Sequence, residues 1–130
     1  MSTTEARLTV VVVDDSEDIR ELTRLQLATL GYRVIEAADG REAVELAGSE
    51  CPALILMDLT MPVLDGLEVT RLIRGLGEIC DVVIVAFTAL HSGECRASAL
   101  AAGCNDYVRK PLGMDELSGL LHRHIGNGRS

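Results

Sequence analysis

Polar side chains of three chemical kinds stand at the ends of four short segments of the chain, three of which are mostly apolar. The first segment ends in two adjacent carboxylates, the next in a third carboxylate, and the last two in a hydroxyl and an ammonium group: Asp14 and Asp15, Asp58, Thr88, and Lys110. Three carboxylates in one pocket repel one another, so either one takes up a proton or a cation neutralises them. Oxygen ligands without His or Cys favour a hard divalent cation, Mg²⁺ or alternatively Mn²⁺. A metal ion, an ammonium and a hydroxyl around a carboxylate suit the transfer of a phosphoryl group to it.

The segments in front of these residues have the patterns of parallel strands. Leu8–Val13 is rich in β-branched valine, which is typical of a strand buried on both faces. Four further strands are predicted at Arg33–Ala37, Ala53–Met57, Asp81–Phe87 and Asp106–Arg109. Helical patterns separate them, and the predicted helices run from a Ser16 cap to Gly31, from Asp39-Gly40 past Ala47, from near Asp65 past Ile73, over Glu94–Ala102 and over Met114–Ile125.

This alternation of strands and helices predicts an α/β fold, a doubly wound five-stranded parallel sheet with five helices on its two faces. In the strand order 2-1-3-4-5 the first and third strands are neighbours, so the carboxylates that follow them share one pocket at the carboxyl edge of the sheet. We expect one domain over residues 1–130, with its core at about 8–125 and short polar tails.

The composition argues against several classes of protein. Twelve basic and 20 acidic residues give a net charge of −8, which disfavours binding to nucleic acid or to an anionic membrane. No apolar run approaches the roughly 20 residues of a membrane span, and residues 1–7 carry no apolar signal region, so we expect a cytoplasmic protein. The start at Met1 and the end soon after the last helix favour a stand-alone domain, although a truncated chain would look the same.

The four cysteines give no sign of a metal or dithiol site. Cys51, Cys80, Cys95 and Cys104 form no C-x-x-C pair. Without an export signal, disulfides are not expected, so we interpret all four as free thiols in the core or on the surface.

Four segments, in this order, resemble the receiver domain of response regulators in two-component signalling. They are Val12-Val13-Asp14-Asp15-Ser16, Leu56–Gly66, Phe87-Thr88-Ala89 and Ala102–Leu112. Each lies at a predicted strand end, and the resemblance covers the chain from about Leu8 to Ile125. It implies a flavodoxin-like fold similar to the chemotaxis receivers, with the strand order given above.

The resemblance implies roles for the acidic residues. Asp58 would be the phosphoacceptor and would become an aspartyl phosphate. Asp15 would bind Mg²⁺ directly, together with Asp58 and the backbone carbonyl of Thr60, while Asp14 would act largely through water.

It also implies roles for residues of the later strand ends. Thr88 and Lys110 would bind the phosphoryl group. Thr88 and Tyr107 would be the switch residues that report phosphorylation. The peptide before Pro111 would be cis, an arrangement that X–Pro bonds tolerate far better than other peptides.

The implied function is that of a phosphoacceptor in a two-component system or phosphorelay. Such a domain is not an enzyme beyond its intrinsic autophosphorylation and autodephosphorylation. A histidine kinase or a histidine phosphotransfer protein would supply the phosphoryl group, docking at Ile19, Leu22 and Leu112. A downstream protein target would read the phosphorylated state of a monomer or weak dimer, with no nucleic acid or membrane as partner.

Two other functions compete with this one. A haloacid-dehalogenase-like phosphatase also forms an aspartyl phosphate, but that class has a second acid two positions after the nucleophile, where this chain has Thr60. A flavodoxin-like module that binds a nucleotide or flavin would need a glycine-rich phosphate loop, which Asp14–Glu17 does not provide. Asp14-Asp15 could also be a plain helix cap, and we interpret Asp65-Gly66 as a turn in which Gly66 carries no chemistry.

Overall fold

The computed structural model describes residues 8–59, 65–76, 82–88, 93–110 and 112–126. In chain order its elements are β1 (Thr9–Val13), α1 (Glu17–Thr29), β2 (Arg33–Ala37), α2 (Gly40–Glu50), β3 (Leu54–Met57), α3 (Gly66–Arg74), β4 (Val83–Thr88), α4 (Gly93–Ala102), β5 (Asp106–Arg109) and α5 (Met114–Ile125). The predicted bounds of β2, β5 and α5 are the observed ones. None of the described helices has the length and apolar composition that a membrane span needs.

The strands form one parallel sheet in the order β2-β1-β3-β4-β5, as the sequence predicts. Val12 of β1 lies opposite Leu56 of β3, and Val13 lies opposite Met57. All strands run in one direction, so the residues that follow Val13 and Met57 meet at the carboxyl edge of the sheet.

The side chains of each strand alternate between the two faces of the sheet and divide the core into two layers. Val11 and Val13 belong to the layer under α2, α3 and α4, whereas Val10 and Val12 belong to the layer under α1 and α5. The helical side chains that complete the layers include Ala43, Ala47, Val69, Ile73 and Ala99 in the first and Leu27, Leu117, Leu120 and Leu121 in the second. Helices therefore cover both faces, which confirms the doubly wound arrangement.

Local chemistry sets where several helices begin and end. The side chains of Ser16, Asp39 and Asp65 each accept a hydrogen bond from the backbone N–H three residues further on, at 3.4, 2.9 and 2.9 Å. Such caps satisfy donors that the first turn of a helix leaves unpaired. Gly31 follows α1 with φ of +99°, a conformation that glycine adopts at little cost.

The expectation of four free thiols is wrong at Cys51, whose sulfur is in a disulfide. Cys95 and Cys104 are not disulfide-bonded, and Cys80 lies outside the described residues. Cys51 follows α2 as its C-cap in the left-handed conformation, with φ of 44°, and the residue is exposed. Cys104 does behave as a core residue, and burial raises the pKa of its thiol.

An ion-pair cluster ties the end of α5 to the start of β5. Asp106 Oδ2 lies 2.9 Å from His124 Nε2 and 3.3 Å from Arg123 Nη2, and Asp106 Oδ1 accepts a hydrogen bond from the Tyr107 N–H at 2.8 Å. Burial by itself would raise the pKa of Asp106. The hydrogen bonds from His124, Tyr107 and Arg123 outweigh that effect and lower the pKa below its ordinary value of 3.8.

We expect Asp106→Asn to reduce the free energy of unfolding at pH 7 by about 1 kcal/mol, because an amide oxygen is a weaker acceptor than a carboxylate. The folded pKa lies below the unfolded one, so this stabilisation is complete above the unfolded pKa and is lost as the pH falls through the folded pKa. Urea unfolding of wild type and Asp106→Asn at pH 7 and at about pH 3 measures the difference in free energy of unfolding. The lower pH is chosen because the pKa of an aspartate in an unfolded chain is about 4. A difference that persists unchanged at the lower pH would contradict the ionic origin.

Candidate functional site

The register of β1 and β3 brings the predicted acidic residues together. The Asp58 N–H donates to the Val13 carbonyl at 3.0 Å, which continues the pairing of the strands by one step. Asp14, Asp15 and Asp58 each offer a carboxylate oxygen, and these oxygens all lie within 4.8 Å of one another. Asp14 and Asp58 are buried, whereas Asp15 is exposed. The pocket therefore has two carboxylates at its base and one at its mouth.

Lys110 supplies a positive charge to this pocket. Its Nζ pairs with the Asp14 carboxylate and lies 3.6 Å from Asp58 Oδ2. The same ammonium lies 5.3 Å from the centroid of the Phe87 ring, and only 13% of the side chain is exposed. One ammonium against three carboxylates leaves an excess of negative charge, and oxygen donors with that excess suit a hard divalent cation.

The Asp14 carboxylate is held by two partners. Its Oδ1 accepts a hydrogen bond from the Ser16 N–H at 2.9 Å, and its Oδ2 accepts one from Lys110. These contacts make Asp14 a fixed part of the pocket wall. Asp15 is the carboxylate that a cation arriving from solvent meets first, because it is the exposed member of the three.

The two predicted switch residues, Thr88 and Tyr107, lie on β4 and β5. Thr88 ends β4 and is fully buried, and its carbonyl accepts a hydrogen bond from the Lys110 N–H at 2.8 Å. Tyr107 of β5 is also buried, in the layer of the core that contains Ala99 and Cys104. The structure thus links Thr88 to Lys110 through the backbone and places the Tyr107 ring inside the fold.

The predicted docking residues surround a shallow cleft beside the pocket. Ile19, Leu22, Leu112 and Lys110 line it. Leu22 is 51% exposed, and Gln26 Nε2 joins α1 to the segment after β5 by donating to the Leu112 carbonyl at 3.1 Å. Two predicted site residues, Thr60 and Pro111, lie outside the described residues, so the Thr60 carbonyl and the peptide before Pro111 have no structural account.

Gly66 lies directly against the backbone of the site, which its interpretation as a plain turn residue did not predict. It begins α3 directly against the backbone that carries Asp58, and its N–H donates to the Leu59 carbonyl at 3.3 Å. A Cβ at this position would lie 2.4 Å from the Asp58 carbonyl oxygen and 2.7 Å from Leu59 Cα. The sequence shows a glycine after an aspartate but not this contact, because the contact depends on how α3 approaches the end of β3.

The family of the chain follows from comparison with known proteins. The sequence model of the family described as response regulator receiver domain matches residues 10–122. The chain belongs to this family. The resemblance drawn from the four motifs is therefore confirmed, and with it the general function of receiver domains in two-component signalling.

The curated relatives of this receiver domain include response regulators. The response regulator MprA of Mycolicibacterium vanbaalenii is 44% identical over 108 residues, which are 83% of this chain and 46% of that protein. The chain spans about half the length of the curated relatives that it matches.

Two solved structures of receiver domains are similar to this chain over most of its length. The receiver domain of sensor histidine kinase PA1611 from Pseudomonas aeruginosa, which has a magnesium ion coordinated in its active site cleft, is 39% identical with a TM-score of 0.85, and the match covers 94% of this chain and 100% of that one. The complex of the Saccharomyces cerevisiae histidine phosphotransfer signaling protein Ypd1 with the receiver domain of its downstream response regulator Ssk1 gives 30% identity and a TM-score of 0.84, over 93% and 90% of the two chains.

We expect Gly66→Ala to lower the free energy of unfolding by about 1–3 kcal/mol, because the added methyl group forces the Asp58–Leu59 backbone to move. Gly119→Ala is the matched control. Gly119 lies in α5, where an added methyl group would have nothing within 4 Å, so alanine there is expected to stabilise the helix by about 0.5–1 kcal/mol. Urea unfolding compares the two variants, and equal effects would contradict the contact at Gly66.

Proposed function

We propose that Asp58 of this receiver domain accepts a phosphoryl group from a phosphohistidine and that the aspartyl phosphate switches the binding of a downstream protein. The observation that carries this proposal is the position of Lys110, whose ammonium lies 3.6 Å from the Asp58 carboxylate in a pocket with two further acids. A positive charge held beside a carboxylate that ends a buried strand is placed to meet an incoming anion. Residues 8–125 would act as one receiver unit, alone or within a longer protein.

The pocket fits a resident Mg²⁺, or Mn²⁺ in its place. Its donor set is all oxygen, and it carries more negative charge than Lys110 neutralises. Asp15, Asp58 and the carbonyl of Thr60 would hold the cation directly, and Asp14 would contribute through water. When bound, the cation screens the negative charge of the phosphoryl group and of the carboxylate that receives it.

The transfer itself needs little from the protein beyond position and charge. An Asp58 carboxylate oxygen forms a bond to phosphorus as the P–N bond of the phosphohistidine breaks, and the electron pair of that bond returns to the imidazole nitrogen. Lys110 would turn from Asp14 towards the phosphoryl oxygens. The Thr88 hydroxyl would donate a hydrogen bond to one of them.

The chain lacks the residue that would make it a multiple-turnover phosphatase of the haloacid-dehalogenase type. Such an enzyme has a second acid two positions after the nucleophile, and this chain has Thr60 there. We therefore propose that the aspartyl phosphate persists until slow autodephosphorylation, which suits a signal rather than a catalytic cycle.

The signal would leave the pocket through Thr88 and Tyr107. β4 and β5 pair with Ala86 opposite Tyr107, so the switch residues lie on neighbouring strands near the same end of the sheet. Among the side chains of α4 that the structure describes, the buried ones are the small Ala99 and Ala102, and an element with so little buried apolar area shifts at low cost. A hydrogen bond from Thr88 to the phosphoryl group would bias the position of α4 and of the Tyr107 ring, which a downstream protein would read.

The phosphohistidine partner would dock on the cleft of Ile19, Leu22 and Leu112. This cleft adjoins Lys110, so a partner seated on it faces the acidic pocket. The half-exposed Leu22 gives the partner an apolar contact at no cost to the core.

We expect wild-type protein to gain one phosphoryl group by mass when it is incubated with acetyl phosphate and Mg²⁺, and Asp58→Asn to gain none. Asp39→Asn is the control, because Asp39 caps α2, is not one of the three clustered carboxylates, and asparagine is an equally good cap. Intact mass spectrometry measures the product, and chelation of Mg²⁺ should abolish it. Labelling of Asp58→Asn to the wild-type extent would refute the assignment.

We expect Leu22→Glu to slow transfer from a phosphorylated histidine phosphotransfer protein by at least about tenfold, because a charge replaces an apolar contact, one hot-spot residue being worth roughly 1.4 kcal/mol or more. Leu25→Glu is the matched control. Both leucines are 51% exposed on α1, but Leu25 does not line the cleft. Labelling by acetyl phosphate should be the same in both variants. If Leu22→Glu also loses that labelling, the residue has a structural role instead.

A further inference from the structure

Arg20, which no motif singles out, makes an unusual contact beside the acidic pocket. It lies in the first turns of α1, and its Nη1 donates a hydrogen bond to the backbone carbonyl of Asp14 at 2.7 Å. Only 14% of its side chain is exposed, although arginine is among the residues that most often reach into solvent. The guanidinium therefore lies against the backbone at the end of β1.

The carbonyl that Arg20 binds belongs to the peptide between Asp14 and Asp15. The Asp14 N–H still pairs with the Ala37 carbonyl of β2, at 3.2 Å, but the next peptide lies beyond the end of the strand. A peptide unit is planar, so a contact that fixes its carbonyl also fixes the orientation of the Asp15 N–Cα bond. Arg20 thereby restricts the direction in which the Asp15 side chain leaves the backbone.

Glu36 holds the guanidinium in this position. Its Oε1 lies 3.2 Å from Arg20 Nε. In the sheet, Glu36 of β2 lies opposite Val12 of β1. A second arginine, Arg24, reaches Glu36 from the next turn of α1, with Nε 3.0 Å from Oε2. Arg20 and Arg24 thus share one carboxylate, but only Arg20 has a hydrogen bond to the Asp14 carbonyl among the described contacts.

We infer that Arg20, anchored by Glu36, is a positioning residue that holds Asp15 in the orientation in which it binds a divalent cation. The inference rests on the proposed metal site. Arg20 has two effects on the affinity of that site for a cation, and they have opposite signs, so a measurement of affinity tests the inference. The positive charge of the guanidinium repels a cation, so its removal would tighten metal binding, whereas loss of its hydrogen bond to the Asp14 carbonyl would weaken metal binding.

The experiment is calorimetric titration of the full chain with Mg²⁺, without any phosphodonor. We expect Arg20→Gln to bind Mg²⁺ about tenfold more weakly than wild type, since residues that orient metal ligands typically affect affinity by about that factor or more. Arg20→Lys keeps the charge but replaces the planar guanidinium, whose Nε and Nη1 contact Glu36 and the Asp14 carbonyl from separate nitrogens, with a single ammonium, so it should also bind more weakly. Arg24→Gln, which removes an ion pair to the same Glu36, should bind Mg²⁺ as wild type does.

A second readout separates position from folding. If Arg20 positions Asp15, labelling of Arg20→Gln by acetyl phosphate recovers at high Mg²⁺ concentration, whereas a misfolded variant does not recover. Tighter or unchanged Mg²⁺ binding in Arg20→Gln overturns the inference and leaves the proposed function standing, as does an equal loss in Arg24→Gln. Wild-type protein that binds no Mg²⁺ overturns the proposed metal site and this inference together.

Discussion

Asp14, Asp15 and Asp58 place three negative charges within 4.8 Å of one another, and the rest of the structure has to hold them there against their mutual repulsion. The parallel register of β1 and β3 does this through the backbone, because Val13 and Met57 are paired and the next residue of each strand is an aspartate. Lys110 offsets part of the repulsion. The register of the sheet thus sets the site, because Asp14, Asp58 and Lys110 each directly follow the last residue of a strand.

The sheet also explains why the surrounding residues are buried where they are. Lys110 sits between the Asp14 carboxylate and the Phe87 ring, and its backbone N–H is bonded to the Thr88 carbonyl. Carboxylates and an aromatic face replace part of the hydration that the lysine loses on burial. Because of this backbone hydrogen bond, a displacement at the end of β4 would also displace Lys110.

Much of the fold and the acidic cluster could be predicted from the sequence, because both depend on short-range patterns. The valines before Asp14 and the apolar run before Asp58 specify strands, and caps such as Ser16 mark where helices begin. Features that depend on how distant elements approach one another could not be predicted. Arg20 needs Glu36 of β2 as an anchor, and the closeness of Gly66 to Asp58 appears only once α3 is packed. The disulfide at Cys51 is of the same kind, since cysteine spacing alone does not give proximity.

The repulsion in the pocket has a thermodynamic consequence outside signalling. A cation that binds the folded chain and not the unfolded one stabilises the fold by mass action, in proportion to the logarithm of its concentration above the dissociation constant. In the unfolded chain Asp58 is separated from the adjacent Asp14 and Asp15 by a long stretch of sequence and no pocket gathers the three, so a cation held at the proposed site would link folding to the free divalent cation. The stability of a domain with such a site would then vary with the ionic composition of the solution around it.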